Sequence, residues 1–308
     1  MTPTAVGEPA GRSPRGAPMS SSLRRRVGLV AMVVVAAVGP VAVSTPALAT
    51  PAGKDDSESR DRTYLALGDS VPFGLIGNAV ELYPDPDNFV GYPDLIADDW
   101  DLRLINASCP GETTASFIDA DAQSNGCANS LDPSGLGYRD RFPLHEDYEG
   151  AQLDYALEVL DDSPRVRLVT IQLGANDLFL CLGTGQCTTP AEAEVMADQL
   201  EENLDVILDT LRDEGDYRGR IVVLTYYALD YTNVVEVDGF VRPLNEAIAE
   251  AADDNDAVVA DAFEAFESRA LEAGGSTIAA GLLYPDDVHP TAEGHRLLAR
   301  AVERAVGH

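Results

Sequence analysis

From residue 63 onward the chain alternates short apolar runs with longer stretches in which apolar residues recur every three or four positions. The short runs, at 63–67, 102–106, 166–173, 220–225 and 257–261, have strand length. Their apolar residues are contiguous instead of alternating with polar ones, which is the pattern of parallel strands covered on both faces. The clearest helical pattern spans 190–213, where Met196, Leu200, Leu204, Ile207, Leu208 and Leu211 fall on one face and acidic residues occupy much of the remainder. Further helices are predicted over 92–99, 149–160, 241–253, 262–273 and 292–306. Strand, helix, strand, repeated without an internal repeat, predicts one α/β domain over 63–308, built as a doubly wound parallel sheet. Two stretches interrupt the rhythm. Residues 119–148 are rich in Asp, Gly, Ser and Asn, and 226–239 carry three tyrosines. Loops of this length at strand ends are more often functional than connective.

The amino-terminal region reads differently. Arg24, Arg25 and Arg26 precede an apolar run from Val27 to Val43, interrupted by Pro40, and Ala47-Leu48-Ala49 supplies a small-x-small cleavage pattern. Residues 1–49 are therefore expected to be an export signal, cleaved before Thr50, and the run is short for a membrane anchor. Residues 50–62 are charged and almost free of apolar side chains, as expected for a flexible leader. An exported protein meets an oxidising compartment. The four cysteines, Cys109, Cys127, Cys181 and Cys187, then suggest two disulfides. Three pairings are possible; the nearest-neighbour one, Cys109–Cys127 with Cys181–Cys187, is the one expected. No CxxC spacing and no nearby histidine supports a zinc site.

Composition narrows the function classes. With 308 residues and 45% hydrophobic residues the chain can bury a sizeable core. Its formal charge of −31 and the absence of a basic run after residue 62 exclude a nucleic-acid binder and disfavour an anionic membrane surface. Nothing in the sequence requires an obligate partner, so a monomer is expected.

The candidate chemistry gathers at strand ends. In open α/β sheets, ligands bind beyond the carboxyl ends of the strands. Ser70 follows the first strand in Gly68-Asp69-Ser70, with Pro72 suited to the first turn of a short helix. A serine hydroxyl is a weak nucleophile until a base takes its proton. Of the four histidines, His289 stands in Asp286-Asp287-Val288-His289, just before the last helix. His295 falls within that helix, His308 is terminal and His145 lies in a loop. Asp286, three residues before His289, is the expected partner of its Nδ1, with Asp287 as the alternative. An ester carbonyl under attack develops an oxyanion, which requires donors aimed at it. Gly111, after the second strand, offers a backbone N–H; Asn176, in Gly174-Ala175-Asn176-Asp177 after the third, offers a side-chain amide.

The four blocks, in the order Ser, Gly, Asn, His, resemble the SGNH (GDSL-type) hydrolase family. The likeness extends to its secreted actinobacterial-type lipases and esterases, which often carry disulfides. The resemblance implies a three-layer flavodoxin-like fold with a five-stranded parallel sheet. It also implies Ser70 as nucleophile, His289 as base, Asp286 as the acid orienting it, and an oxyanion hole made by the Ser70 and Gly111 N–H groups and the Asn176 side chain. The Leu of the family name is Val71 here, which leaves the chemistry intact. The expected activity is hydrolysis of small-molecule or lipid esters through an acyl-serine intermediate, without metal or organic cofactor. Alternatives are a deacetylase of acylated polysaccharide, an acyltransferase, and a non-catalytic surface binder. Because the base must be neutral, activity is expected to fall on acidification.

Overall fold

The computed structural model of the protein describes residues 62–163 and 165–307. The expected export signal and all but the last residue of the leader lie outside the described residues, as does His308.

Five strands form one parallel sheet: β1 (Thr63–Gly68), β2 (Arg103–Asn106), β3 (Val166–Gln172), β4 (Arg220–Leu224) and β5 (Val258–Ala260), in the order β2-β1-β3-β4-β5. Every residue of β1 is buried, which is why its sequence is apolar without alternation. β1 pairs with β2 from Thr63↔Arg103 to Ala66↔Asn106, and with β3 as far as Gly68↔Gln172.

The helices, in chain order, are α1 (Ser70–Phe73), α2 (Tyr92–Asp99), α3 (Thr114–Ile118), α4 (Gln152–Asp162), α5 (Ala175–Gly183), α6 (Pro190–Asp213), α7 (Arg242–Asp254), α8 (Ala262–Glu272) and α9 (Ala292–Ala305). A helical turn at Val234–Glu236 and a π-helical turn at Val237–Val241 lead into α7. Two helical layers cover the sheet. α2, α8 and α9 pack together on one face, and α4, α6 and α7, with the short α3 and α5, on the other. The division follows from chain direction. The chain moves one way from β1 to β2, then reverses past β1 to β3, β4 and β5. A right-handed crossover places its helix on opposite faces for opposite directions of travel.

α6 has the predicted register. Leu200, Leu204, Ile207, Leu208 and Leu211 are all buried against the sheet and α7. Burying each such side chain is worth ~1.5–3 kcal/mol, so this stripe outweighs the modest propensity of an acid-rich helix. Its start is fixed by Pro190 and by a reciprocal cap. The Thr189 hydroxyl accepts from the Glu192 N–H, and the Glu192 carboxylate accepts from the Thr189 N–H.

The sheet order has one reversal point, between β1 and β3. A crevice opens there because the chains leaving the two strands turn to opposite sides. Ser70 leaves β1 and Ala175 leaves β3, so both open their elements at this crevice. Among the described residues, no helix is long and apolar enough to cross a membrane.

Candidate active site

Ser70 is the first residue of α1, and the turn before it is built by Asp69. The Asp69 carboxylate accepts the Val71 N–H at 2.8 Å and caps the helix. Beneath the turn, Gln152 of α4 grips Gly68 at two points. Its Oε1 accepts the Gly68 N–H at 2.7 Å and its Nε2 donates to the Gly68 carbonyl at 3.0 Å. The serine hydroxyl is thus presented from a fixed backbone.

His289 Nε2 lies 2.9 Å from Ser70 Oγ. The ring is carried by the segment between α8 and α9, which is tied by a bridge between Leu283 and Pro290 and by the Tyr284 N–H donating to the His289 carbonyl at 3.1 Å. The Tyr227 hydroxyl donates to the Val288 carbonyl at 2.8 Å and steadies it from the β4 side.

The carboxylate on His289 is that of Asp287, at 2.5 Å from Nδ1, and not that of Asp286. Backbone geometry explains the correction. Asp286 takes φ 55°, a left-handed conformation at the apex of the turn, and its side chain is exposed. Its carbonyl instead accepts from Asn78 Nδ2 at 3.1 Å. Asp287 points inward: one oxygen accepts the Val288 N–H at 2.7 Å and holds His289, and the other accepts the Gly77 N–H at 2.7 Å. A Cβ at residue 77 would sit 2.8 Å from Asp287 Oδ1, so only glycine permits this approach. Burial opposes the charge on Asp287, but the hydrogen bond from His289, the attraction of its imidazolium form and the two backbone donors outweigh it. The carboxyl stays below its ordinary range. Of the other histidines, His145 bonds the Phe73 carbonyl at 3.0 Å, and His295 is buried in α9.

Gly111 and Asn176 reach the same cleft as Ser70. Gly111 has φ +87°, and a Cβ there would lie 2.7 Å from the Gly126 carbonyl carbon and 2.8 Å from the Asn125 carbonyl oxygen. Its carbonyl accepts the Asn125 N–H at 2.9 Å, while its own N–H has no acceptor among the described residues. The Ser70 N–H, at the first position of α1, has no intrahelical acceptor either. Asn176, in the first turn of α5, is buried; its Oδ1 accepts from Asn125 Nδ2 at 2.9 Å and its Nδ2 points to Asp69 Oδ2 at 3.4 Å.

Cys109 is joined to Cys127, and Cys181 to Cys187. The first bridge ties the Gly111 turn to the loop bearing Asn125 and Gly126. Glu112 lies beside it, fully buried, accepting from Ser116 Oγ at 2.5 Å and from Gln152 Nε2 at 3.0 Å. Burial pushes its carboxyl up to about 7 against those two donors. Cys109, Glu112 and Cys127 form the one cluster of metal-ligand type among the described residues, but the two sulfurs are bonded to each other and unavailable as thiolates.

The cleft in front of Ser70 has a volume of about 630 Å³. Its lining is largely apolar, with Leu75, Leu178, Phe179, Leu182, Val235 and Phe240 contributing. Phe179, Leu182 and Val235 remain exposed at its rim. Tyr226 and Tyr227 also border it, but both are buried with their hydroxyls committed to Asp69 and to Val288. They serve as supports under the site and are not free to stack on a ligand. Sequence reading missed Gly77, Asn125 and Gln152 as parts of the site. Each acts across a long stretch of chain and carries no local signal.

The arrangement can transfer the Ser70 proton to an imidazole whose far nitrogen is held by a carboxylate, with two backbone N–H groups and one amide nearby. The sequence matches the model of the GDSL-like lipase/acylhydrolase family over residues 66–297, and the chain belongs to that family. It is accordingly a serine hydrolase acting on ester bonds. Comparison with curated proteins returns no match. Among solved structures, a protein classed as a GDSL-like lipase from Parabacteroides merdae is similar with a TM-score of 0.52 at 15% identity, covering 80% of this chain and 96% of that one. The acetylxylan esterase Axe2 from Geobacillus stearothermophilus gives 0.50 at 16% identity, covering 81% and 95%. The lipase Lip_vut3 from a goat rumen metagenome gives 0.50 at 16% identity, covering 79% and 97%. At these identities the likeness is one of fold.

Proposed function

We propose that this protein is a secreted esterase that cleaves carboxylic esters with apolar acyl groups through an acyl-Ser70 intermediate. The observation that carries the reading is the continuous contact Asp287–His289–Ser70, at 2.5 and 2.9 Å, opening on an apolar cleft. Ser70 Oγ attacks the ester carbonyl carbon as His289 Nε2 takes its proton. The carbonyl oxygen becomes an oxyanion facing the N–H groups of Ser70 and Gly111 and the Asn176 amide. Collapse of this intermediate breaks the bond to the alcohol oxygen, and His289 returns the proton to the leaving alcohol. Water, deprotonated by His289, then attacks the acyl-serine and releases the acid. Asp287 holds the imidazole in the tautomer that leaves Nε2 unprotonated, and it stabilises the imidazolium formed at each transfer. No step calls for a metal or an organic cofactor.

The apolar lining contributed by Leu178, Phe179, Leu182 and Phe240 favours an alkyl acyl chain over a sugar, which would need polar partners there. Two disulfides support an oxidising compartment. With p-nitrophenyl esters from acetate to octanoate, kcat/KM is expected to rise with chain length. The increase approaches roughly fourfold for each methylene that becomes fully buried, from ~0.8 kcal/mol per CH₂. A preference for acetate over octanoate by an order of magnitude would instead favour a deacetylase.

A further inference from the structure

The Asn176 amide is gripped at both ends. Its oxygen accepts from Asn125 Nδ2 at 2.9 Å, and its nitrogen donates to Asp69 Oδ2 at 3.4 Å. Asp69 is in turn held by two donors, the Val71 N–H at 2.8 Å on Oδ1 and the Tyr226 hydroxyl at 2.5 Å on Oδ2. Tyr226 follows β4, and its peptide unit is clamped by Asn245 of α7. Asn245 accepts the Tyr226 N–H and donates to the Tyr226 carbonyl, both at 2.8 Å. Asp69 and Tyr226 are buried, so water does not compete for these bonds. Asn125, by contrast, lies on the open side of the cleft, on the loop joined to the Gly111 turn by the Cys109–Cys127 bridge.

We propose that Tyr226, acting through Asp69, is a positioning residue that keeps the nitrogen of the Asn176 amide, and not its oxygen, facing the oxyanion. The inference rests on reading Ser70 as nucleophile and Asn176 as oxyanion donor. An asparagine amide is nearly symmetric in shape, but its two ends are opposite in electrostatic sign. Turned end for end, it would set an acceptor against the developing negative charge, and stabilisation would become repulsion. The Asp69 carboxylate selects between the two orientations, because it accepts from the nitrogen and repels the oxygen. The Asn125 amine makes the same selection from the other end. The Asp69–Asn176 contact is long, so it depends on the carboxylate staying in place. Tyr226 supplies the shortest bond Asp69 receives, and it binds the same oxygen that faces Asn176. Without that hydroxyl the carboxylate is held only through Oδ1 by the Val71 N–H, its Oδ2 loses its strongest anchor, and the selection weakens.

The test is a pair of double-mutant cycles, Tyr226→Phe and Asn125→Ala each combined with Asn176→Ala, assayed with p-nitrophenyl butyrate for kcat and KM separately. Ser70→Ala is the control. Tyr226→Phe alone is expected to lower kcat about tenfold with KM within about twofold, the mark of an interaction made in the transition state. Asn176→Ala is expected to lose ~10²–10³ in kcat. In the Asn176→Ala background, both Tyr226→Phe and Asn125→Ala should cost less than about twofold, because their target is gone. A tyrosine that merely braces the fold would lower turnover by the same factor in both backgrounds, and that result overturns the proposal even if Tyr226→Phe is less stable. Full turnover by Ser70→Ala, or an unchanged Asn176→Ala, would instead overturn the underlying reading of the site. The two failures are thus told apart.

Discussion

Replacing Asp287 with asparagine is expected to lower kcat by about 10⁴, the scale seen when the carboxylate of a serine–histidine pair is neutralised. Asparagine keeps the size, and its one carbonyl oxygen can still accept either the Gly77 N–H or the Val288 N–H, which meet different oxygens of Asp287. What it loses is the charge that stabilises the imidazolium. If its amine is the end that faces His289, the ring must take the tautomer with the proton on Nε2, which cannot accept the Ser70 proton. Asp286→Asn is expected to change kcat by no more than about twofold, the range of an exposed substitution away from special contacts. Asp286 contributes its backbone to the turn, and asparagine tolerates the left-handed conformation it adopts there. Steady-state kinetics on the two variants, with their thermal unfolding measured in parallel, distinguishes the neighbours. A large loss in Asp286→Asn with an intact Asp287→Asn would reverse the assignment made from the geometry.

Gly111→Ala is expected to lower kcat by at least ~10², because it displaces both kinds of oxyanion donor at once. The new methyl group would enter the Gly126 and Asn125 backbone at 2.7–2.8 Å, so that loop must move. Asn125 moves with it and relaxes its hold on the Asn176 oxygen. The alanine must also adopt φ +87°, which adds a backbone cost of ~1–2 kcal/mol. The bridge to Cys127 keeps the loop from simply swinging away, so the strain stays in the site. The expected result is a fall in kcat far larger than the fall in stability, with KM little changed. A variant that unfolds at lower temperature yet keeps its turnover would mean that the Gly111 N–H is not a donor to the oxyanion.

The strands were legible because parallel, doubly covered strands announce themselves as contiguous apolar runs. Each predicted strand lies within one residue of the observed one at either end. α6 and α9 were legible from periodicity, and Ser70 was placed correctly once β1 was recognised. The short helices α3 and α5 were not. α5 begins in Gly174-Ala175-Asn176-Asp177, which reads as a turn, and its apolar Phe179 and Leu182 face the cleft and solvent rather than the core. The choice between Asp286 and Asp287 was beyond the sequence for a definite reason. Two adjacent carboxylates look alike until the backbone at one of them turns left-handed, and Gly77, far away in the chain, is what makes room for the other. The sequence alone leaves the tyrosines of 226–239 open as the lining of an acyl slot, as stacking platforms for a sugar or as packing. Tyr226 and Tyr227 turn their hydroxyls inward to Asp69 and Val288, because buried phenols need partners.

The proposed mechanism requires Ser70 to be a nucleophile activated by His289. Treatment with a fluorophosphonate, followed by digestion without reduction and mass spectrometry of the peptides, tests this most directly. A single covalent adduct on Ser70, formed at a rate that collapses in His289→Ala while the protein remains folded, is the predicted result. Labelling of a different serine, or labelling of Ser70 at an unchanged rate without the imidazole, would contradict it.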